Sequence, residues 1–249
     1  NVAIGHEAGV DITTGVQNTL IGGLAGDDIT TGDNNVTVGY ASLSKATTAD
    51  NNTAVGRGAL SEATTGAGNT GVGKGALEYN TTASNNTAVG LDALYANTTG
   101  FDNVAVGATA LDANTSGNGN TAVGYGSLGS DTLGDRAVAI GKNALTAQNF
   151  TSSTDNYNVA IGYSAGSSIT TGTPNTLIGG LAGDALTTGG SNVAIGYNSL
   201  STEDAHGGNV AVGTNALTTQ NAGATGYNTA VGHNAGLGVT TGIKNVLIG

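Results

Sequence analysis

A 17-residue period governs this chain. Copies of one unit begin at Asn1, Asn18, Asn35, Asn52, Asn69, Asn86, Asn103 and Asn120; the spacing resumes from Asn158 to Asn192 and from Asn228 to Asn245. Short self-similarity at a fixed period is the signature of stacked repeats, in which each unit buries its apolar side only against its neighbours. The segment Asn86 to Asp102, NTAVGLDALYANTTGFD, stands for all of them.

Numbered from the Asn, column two is Val or Thr, column three is small or Leu, column four is Val or Ile, and column five is Gly from Gly5 to Gly249. Alternating β-branched positions predict a short strand that ends at an obligatory glycine. Column eight is Ala or Ser, as at Ala8, Ser42 and Ala93, which points to a tight interior position.

Columns nine and twelve vary together. Leu at nine (Leu43, Leu60, Leu77, Leu94) accompanies a small or polar twelve (Ala46, Ala63, Asn80, Asn97), whereas Gly at nine (Gly9, Gly26, Gly166, Gly183) accompanies Ile or Leu at twelve (Ile12, Ile29, Ile169, Leu186). Filling one slot twice strains a packed interior and emptying it opens a cavity, so the two columns are read as feeding one slot. Columns thirteen to fifteen, mostly Thr-Thr-Gly, are expected to form a second short strand and a turn, with adjacent threonines facing opposite ways. The Asn column, at Asn1, Asn18, Asn35, Asn52, Asn69, Asn86, Asn103 and Asn120, is expected to stack as a ladder with each amide bonding its neighbour.

The expected fold is all-β: one continuous parallel β-solenoid, or β-roll, over residues 1–249, of about fourteen 17-residue rungs. Extra residues near 146–157 and 218–227 interrupt the period and are expected as loops on one face. Asn158 to Ser201 closely repeats Asn1 to Ser44, including the string NTLIGGLAGD, so a block of several rungs is duplicated. The chain starts without Met and stops inside a unit, as a window on a longer fibre would.

Composition narrows the function classes. A formal charge of −11 with six Lys and Arg argues against nucleic-acid partners and anionic membranes. No apolar run reaches the roughly 20 residues of a membrane span, so no membrane contact is expected. There is no Cys. The nonapeptide of calcium-binding β-rolls is absent, and Gly22-Gly23-Leu24-Ala25-Gly26 lacks the Lys-Ser/Thr ending of a phosphate loop. No catalytic, cofactor-binding or metal site is assigned. The column-six histidines, His6 and His233, share a variable column with Tyr40, Arg57, Lys74, Tyr125, Lys142, Tyr163 and Tyr197. Its tyrosines, Tyr40, Tyr125, Tyr163 and Tyr197, form a candidate surface-binding stripe, because aromatic faces bind glycans.

The strand is apolar on both faces, and a 17-residue coil has room for only one thin interior. Other copies are the expected cover, with Val55, Val72, Val89, Val106 and Val123 as candidates for the core of a homotrimer. The strings NVAIGHEAG, NVAIGYSAG and NTAVG resemble the YadA-like head repeats of trimeric autotransporter adhesins, and the Thr-Thr-Gly rung resembles repeats of tail-fibre-like proteins. That resemblance implies a left-handed, three-chain β-roll and a non-enzymatic adhesive or viral fibre. The segment would be extracellular, on a cell or virion surface, and would act as a rigid spacer that also offers a face to a cell-surface glycan or protein receptor. An ice- or crystal-binding solenoid using its Thr ladders is the alternative, and a polysaccharide-cleaving fibre a third reading.

Overall fold

A computed structural model describes residues 1–249. The chain is a parallel β-solenoid of fifteen rungs without helix, and it divides into two compact units, Asn1–Asn120 and Thr121–Gly249.

In the first unit seven strands lie one per rung: β1 (Val2–Ile4), β2 (Thr19–Ile21), β3 (Val36–Val38), β4 (Thr53–Val55), β5 (Thr70–Val72), β6 (Thr87–Val89) and β7 (Val104–Val106). Each pairs with the next in parallel and in register, column on column, as Ala54 on Gly71 and Gly71 on Ala88. Column three points inward and is fully buried (Leu20, Ala54, Ala88, Ala105). Columns two and four point outward.

Column five must be glycine for two reasons. Gly56 has φ +133°, a region closed to residues with a Cβ, and a methyl there would collide with the Gly73 carbonyl of the next rung. Beyond it the chain closes through tight turns, with Ala59 N–H donating to the Gly56 oxygen at 3.3 Å and Ala63 N–H to the Leu60 oxygen at 3.1 Å. These turns set columns seven and nine at positive φ, so Leu43, Leu60, Leu77, Leu94 and Leu111 all sit near +50 to +56°. Leucine tolerates that left-handed backbone only where burial compensates, and all five are fully buried.

The shared slot has a third member. A methyl at Gly26 would lie 2.7 Å from Ile29 Cδ1 and 3.0 Å from Leu20 Cδ2; one at Gly183 would lie 2.8 Å from both Leu186 Cδ1 and Leu177 Cδ2. Column-nine glycine therefore goes with a large residue at twelve and with a column-three leucine, on the same rung at Gly26 and Gly183 and on the following rung at Gly9, Gly166 and Gly236. Columns nine and twelve alone do not describe the exchange.

Thr-Thr-Gly is not a second strand. It is a bend, in which the Thr13 and Thr14 amides both donate to the Thr30 oxygen at 2.9 and 3.2 Å. Because a bend does not alternate its side chains, both threonines reach the surface. The Thr13 hydroxyl also donates to the Thr30 oxygen, at 3.0 Å, and the Thr30 hydroxyl to the Thr47 oxygen, at 2.9 Å.

In the second unit β8 (Thr121–Val123), β10 (Val138–Ile140), β12 (Val159–Ile161), β13 (Asn175–Ile178), β14 (Asn192–Ile195), β15 (Val210–Val212), β16 (Thr229–Val231) and β17 (Val246–Ile248) continue the one-per-rung pattern. The extra residues of 146–157 do more than loop out. They form β11 (Thr154–Asp155), which pairs in parallel with β9 (Gly134–Asp135), and they bury Phe150. The reason is polar: the buried Asp131 carboxylate accepts from Gln148 Nε2 at 2.6 Å and from Phe150 N–H at 3.2 Å, which draws the extra segment back over the rung. Arg136 and Tyr157 close its rim, the guanidinium 5.8 Å from the ring centre and ion-paired with Asp155.

Candidate ligand-binding recess

The column-one asparagines are buried and bond in two directions. Asn52 Oδ1 accepts the Asn69 backbone N–H at 2.9 Å, while Asn52 Nδ2 donates to the Gly66 carbonyl of its own rung at 2.9 Å. The same pair of bonds recurs at Asn18, Asn35, Asn69, Asn86 and Asn103. Asn1 makes it at the first rung, and Asn120 receives the Asn103 bond. Amide-to-amide contacts such as Asn69 Nδ2 to Asn52 Oδ1, 3.2 Å, are secondary. The column thus clamps the coil across its width as well as joining rungs. Asn80, Asn97 and Asn114 add a second buried amide file at column twelve, with both links at 2.8 Å.

Val55, Val72, Val106 and Val123 lie half-buried on the outward strand face, and Val89 is exposed there. Other members of this face are more open: Val2, Ile4, Ile21, Val36 and Val104 are all exposed.

Tyr40, Tyr125, Tyr163 and Tyr197 are all exposed, each 56 to 58%. Two of them have a seat. A methyl at Gly23 would lie 3.5 Å from the Tyr40 ring, and one at Gly180 3.5 Å from the Tyr197 ring, so each ring rests on a glycine of the preceding rung. Lys142 Nζ lies 5.7 Å from the centre of the Tyr125 ring.

Tyr40 borders a hollow. A recess of about 390 Å³ in the first unit is lined by Tyr40, Ala41, Arg57, Gly58, Ser61, Lys74, Glu78, Asp92 and Tyr95. Its construction follows from the period. Column six supplies one wall, Tyr40, Arg57 and Lys74 on successive rungs; column ten supplies the other, Ser61, Glu78 and Tyr95; column seven is the floor. Of the floor positions Gly58, without a side chain, lines the hollow, whereas Gly75 lies beneath the Asp92 and Glu78 carboxylates; Ala41 and Asp92 end the hollow.

Charge is unevenly satisfied here. Lys45 pairs with Glu62 at 2.6 Å, but neither Arg57 nor Lys74 is within ion-pair distance of any carboxylate. Burial, followed by the nearby Asp92 charge, raises Glu78 above the ordinary carboxylate range, an effect Lys74 and Arg57 only partly oppose. A methyl at Gly75 would meet the carboxylates of both Asp92 and Glu78, so the two acids converge over the bare floor. Tyr95 is braced edge-on by Tyr79, centroids 5.0 Å apart at 86°. Hydrogen bonding with Tyr79, then burial, pushes its hydroxyl up to about 12.

Ser61, Glu78, Asp92 and Tyr95 were not singled out from the sequence. Glycine at column seven in two successive rungs, beside Arg57 and Lys74 at column six, is the signal that marks them.

In the second unit a recess of about 350 Å³ is lined by Gly190, Ser191, Ala205, His206, Gly207, Gly208, Thr225 and Tyr227. Ligand-capable atoms of Glu203, Asp204 and His206 lie within 4.8 Å of one another beside it. The Glu203 side chain is fully buried and accepts from His206 N–H at 3.2 Å and Ala222 N–H at 3.4 Å. It ties two loop segments together.

No protein-family model, curated protein or solved structure matches the chain. No helix is long and apolar enough to cross a membrane.

Proposed function

We propose that this chain is the structural shaft or head segment of a homotrimeric surface fibre, a bacterial adhesin or a viral tail fibre, holding and offering a binding face without catalysing a reaction. The observation that carries this reading is the outward strand face. Val, Ile and Thr repeat down this face, exposed at Ile21, Val36, Val89 and Val104 and half-buried at Val55, Val72, Val106 and Val123, while the opposite face is sealed inside the coil. Repeated β-branched residues on an open sheet face call for a cover, and a closed symmetric assembly lets three identical faces cover one another. The resemblance to adhesin head repeats supports the same reading, and a net charge of −11 suits a long repetitive surface that must stay soluble.

Sedimentation equilibrium tests it. A mass of three chains that falls to one in the Val89→Asp, Val106→Asp double variant supports the trimer, because each carboxylate would be buried unpaired at the seam. A single-chain mass for the unaltered protein overturns it.

The ice-binding alternative loses support from the threonine geometry. Column-thirteen hydroxyls are committed to carbonyls of the following rung, so of the Thr-Thr pair only the column-fourteen file is left to face water.

A further inference from the structure

We propose that the recess floored by Gly58 binds a carboxylate-bearing sugar ring, one hexuronate unit of an acidic polysaccharide. This deepens the surface-binding part of the function proposed above and rests on it for its biological setting.

Four observations converge. First, the chain carries 17 acidic and only six basic residues, yet two of the six, Arg57 and Lys74, stand on successive rungs of one wall, close enough to feel the Glu78 charge but within ion-pair distance of no carboxylate. Two adjacent cations whose donors no carboxylate holds suit a ligand carboxylate, which guanidinium can grip with two parallel hydrogen bonds. Second, Tyr40 is held against Gly23 on one side while remaining 56% exposed. A seated, open aromatic face is the usual platform for the C–H face of a sugar ring. Third, the opposite wall supplies Ser61 and Glu78 with Asp92 at the end, a set of hydroxyl and carboxyl oxygens that can bond ring hydroxyls. Fourth, the floor at Gly58 carries no side chain and is bordered by the Glu78 carboxylate, and about 390 Å³ accommodates a single saccharide unit with its linkages leaving along the surface.

The charges also sort the ligand. Glu78 and Asp92 would repel a polyanion with charges on every side, such as a polyphosphate, whereas a hexuronate presents its carboxylate on one edge and neutral hydroxyls on the other.

The test uses the whole chain and isothermal titration with three probes: a glucuronate-containing tetrasaccharide, uncharged cellotetraose and inorganic phosphate. The acidic tetrasaccharide is expected to bind, to weaken at least about tenfold in Arg57→Gln and in Lys74→Gln, and to weaken as salt rises from roughly 0.05 to 0.3 M. Tyr40→Ala should also lose binding while Tyr197→Ala does not, with circular dichroism confirming that both fold. Equal affinity for cellotetraose, or phosphate competing as well as the sugar, would overturn the assignment, as would no titration by the acidic probe. The mass measurement stays independent: a single-chain mass with intact sugar binding removes the trimer and keeps the site, whereas a trimer that binds no acidic sugar removes only the site.

Discussion

The rungs around Tyr40 and those around Tyr197 are versions of one duplicated design that part company at the surface. In both, a tyrosine rests on a glycine of the preceding rung, Gly23 or Gly180, and in both the interior is a column of buried alanine and leucine. After Tyr40, column six continues as Arg57 and Lys74 over a floor of Gly58 and Gly75; after Tyr197 it continues as Thr214 and His233 over Asn215 and Asn234. Those asparagines build a surface file, Asn198 Nδ2 to Asn215 Oδ1 at 3.2 Å and Asn215 Nδ2 to Asn234 Oδ1 at 3.1 Å, in the column where the first unit has Gly58 lining the recess and Gly75 beneath the Asp92 and Glu78 carboxylates. The comparison teaches that the inward columns are held to one solution while the outward ones are free to diverge. A recess is made by subtracting a side chain, with no change of backbone.

The largest expected effect tests the shared interior. Leu60→Gly and Leu200→Gly should each cost about 2–5 kcal/mol in thermal unfolding, because both empty a fully buried slot. A markedly smaller loss in either region would break the claim that the interiors are equivalent. Ala63→Ile on the Leu60→Gly background should recover part of the loss by refilling the slot from column twelve. In the Leu94→Gly background the matching Asn97→Ile should recover less, since Asn97 holds Asn114 and Asn80 in the buried amide file.

Next in size are the amide clamps. Asn52→Ala and Asn209→Ala should each lose about 1–3 kcal/mol, the cost of leaving a buried backbone group unpaired. Hydrogen exchange should then speed at the Asn69 and Asn228 amides, which those side chains accept.

A smaller stability effect, and a sharper one for function, comes from transplanting the floor. Gly58→Asn with Gly75→Asn should leave the melting temperature within a few degrees, because asparagine tolerates the positive φ of +68 and +67° found there. The same change should abolish hexuronate binding. Retention of binding would show that the bare floor is not what distinguishes the two regions.

The smallest effect is a pH slope. Glu78 binds a proton more readily folded than unfolded, so its contribution is fully present below its ordinary value of 4.5 and is lost as pH rises through the raised one. Glu78→Gln should flatten stability across that window, measured as melting temperature against pH. No corresponding change is expected from Ser201→Ala, the same column in the Tyr197 region.

Most of the coil could be read from residues alone because each inward column answers to one constraint. Column five announced itself as glycine, columns two to four as a strand, and the coupling of columns nine and twelve as a shared volume. What escaped was whatever depends on backbone that sequence patterns do not advertise. Leucine at positive φ gives no warning, since Leu60 looks like any core residue. Thr-Thr-Gly imitates a β-strand by composition but bonds twice to one carbonyl and bends. The recess escaped for a different reason: its floor is defined by a missing side chain, and its walls by columns four apart whose outward residues vary from rung to rung and line up only once the rungs stack.

The amide clamp carries a consequence for how such a chain can change length. In the rungs of unbroken period each Asn from Asn18 to Asn103 reaches one period forward and fourteen residues along its own turn, and nothing in the clamp refers to distances beyond that. Removal or insertion of a whole period leaves each junction with the partners it had before, whereas a shift of a single residue would turn buried alanines outward and admit valines in their place. Growth in whole turns is therefore nearly silent to the fold, as the repeated Asn1 to Ser44 block suggests, and the reach of the molecule can be edited in increments of seventeen while the chemistry displayed on any one turn is altered separately.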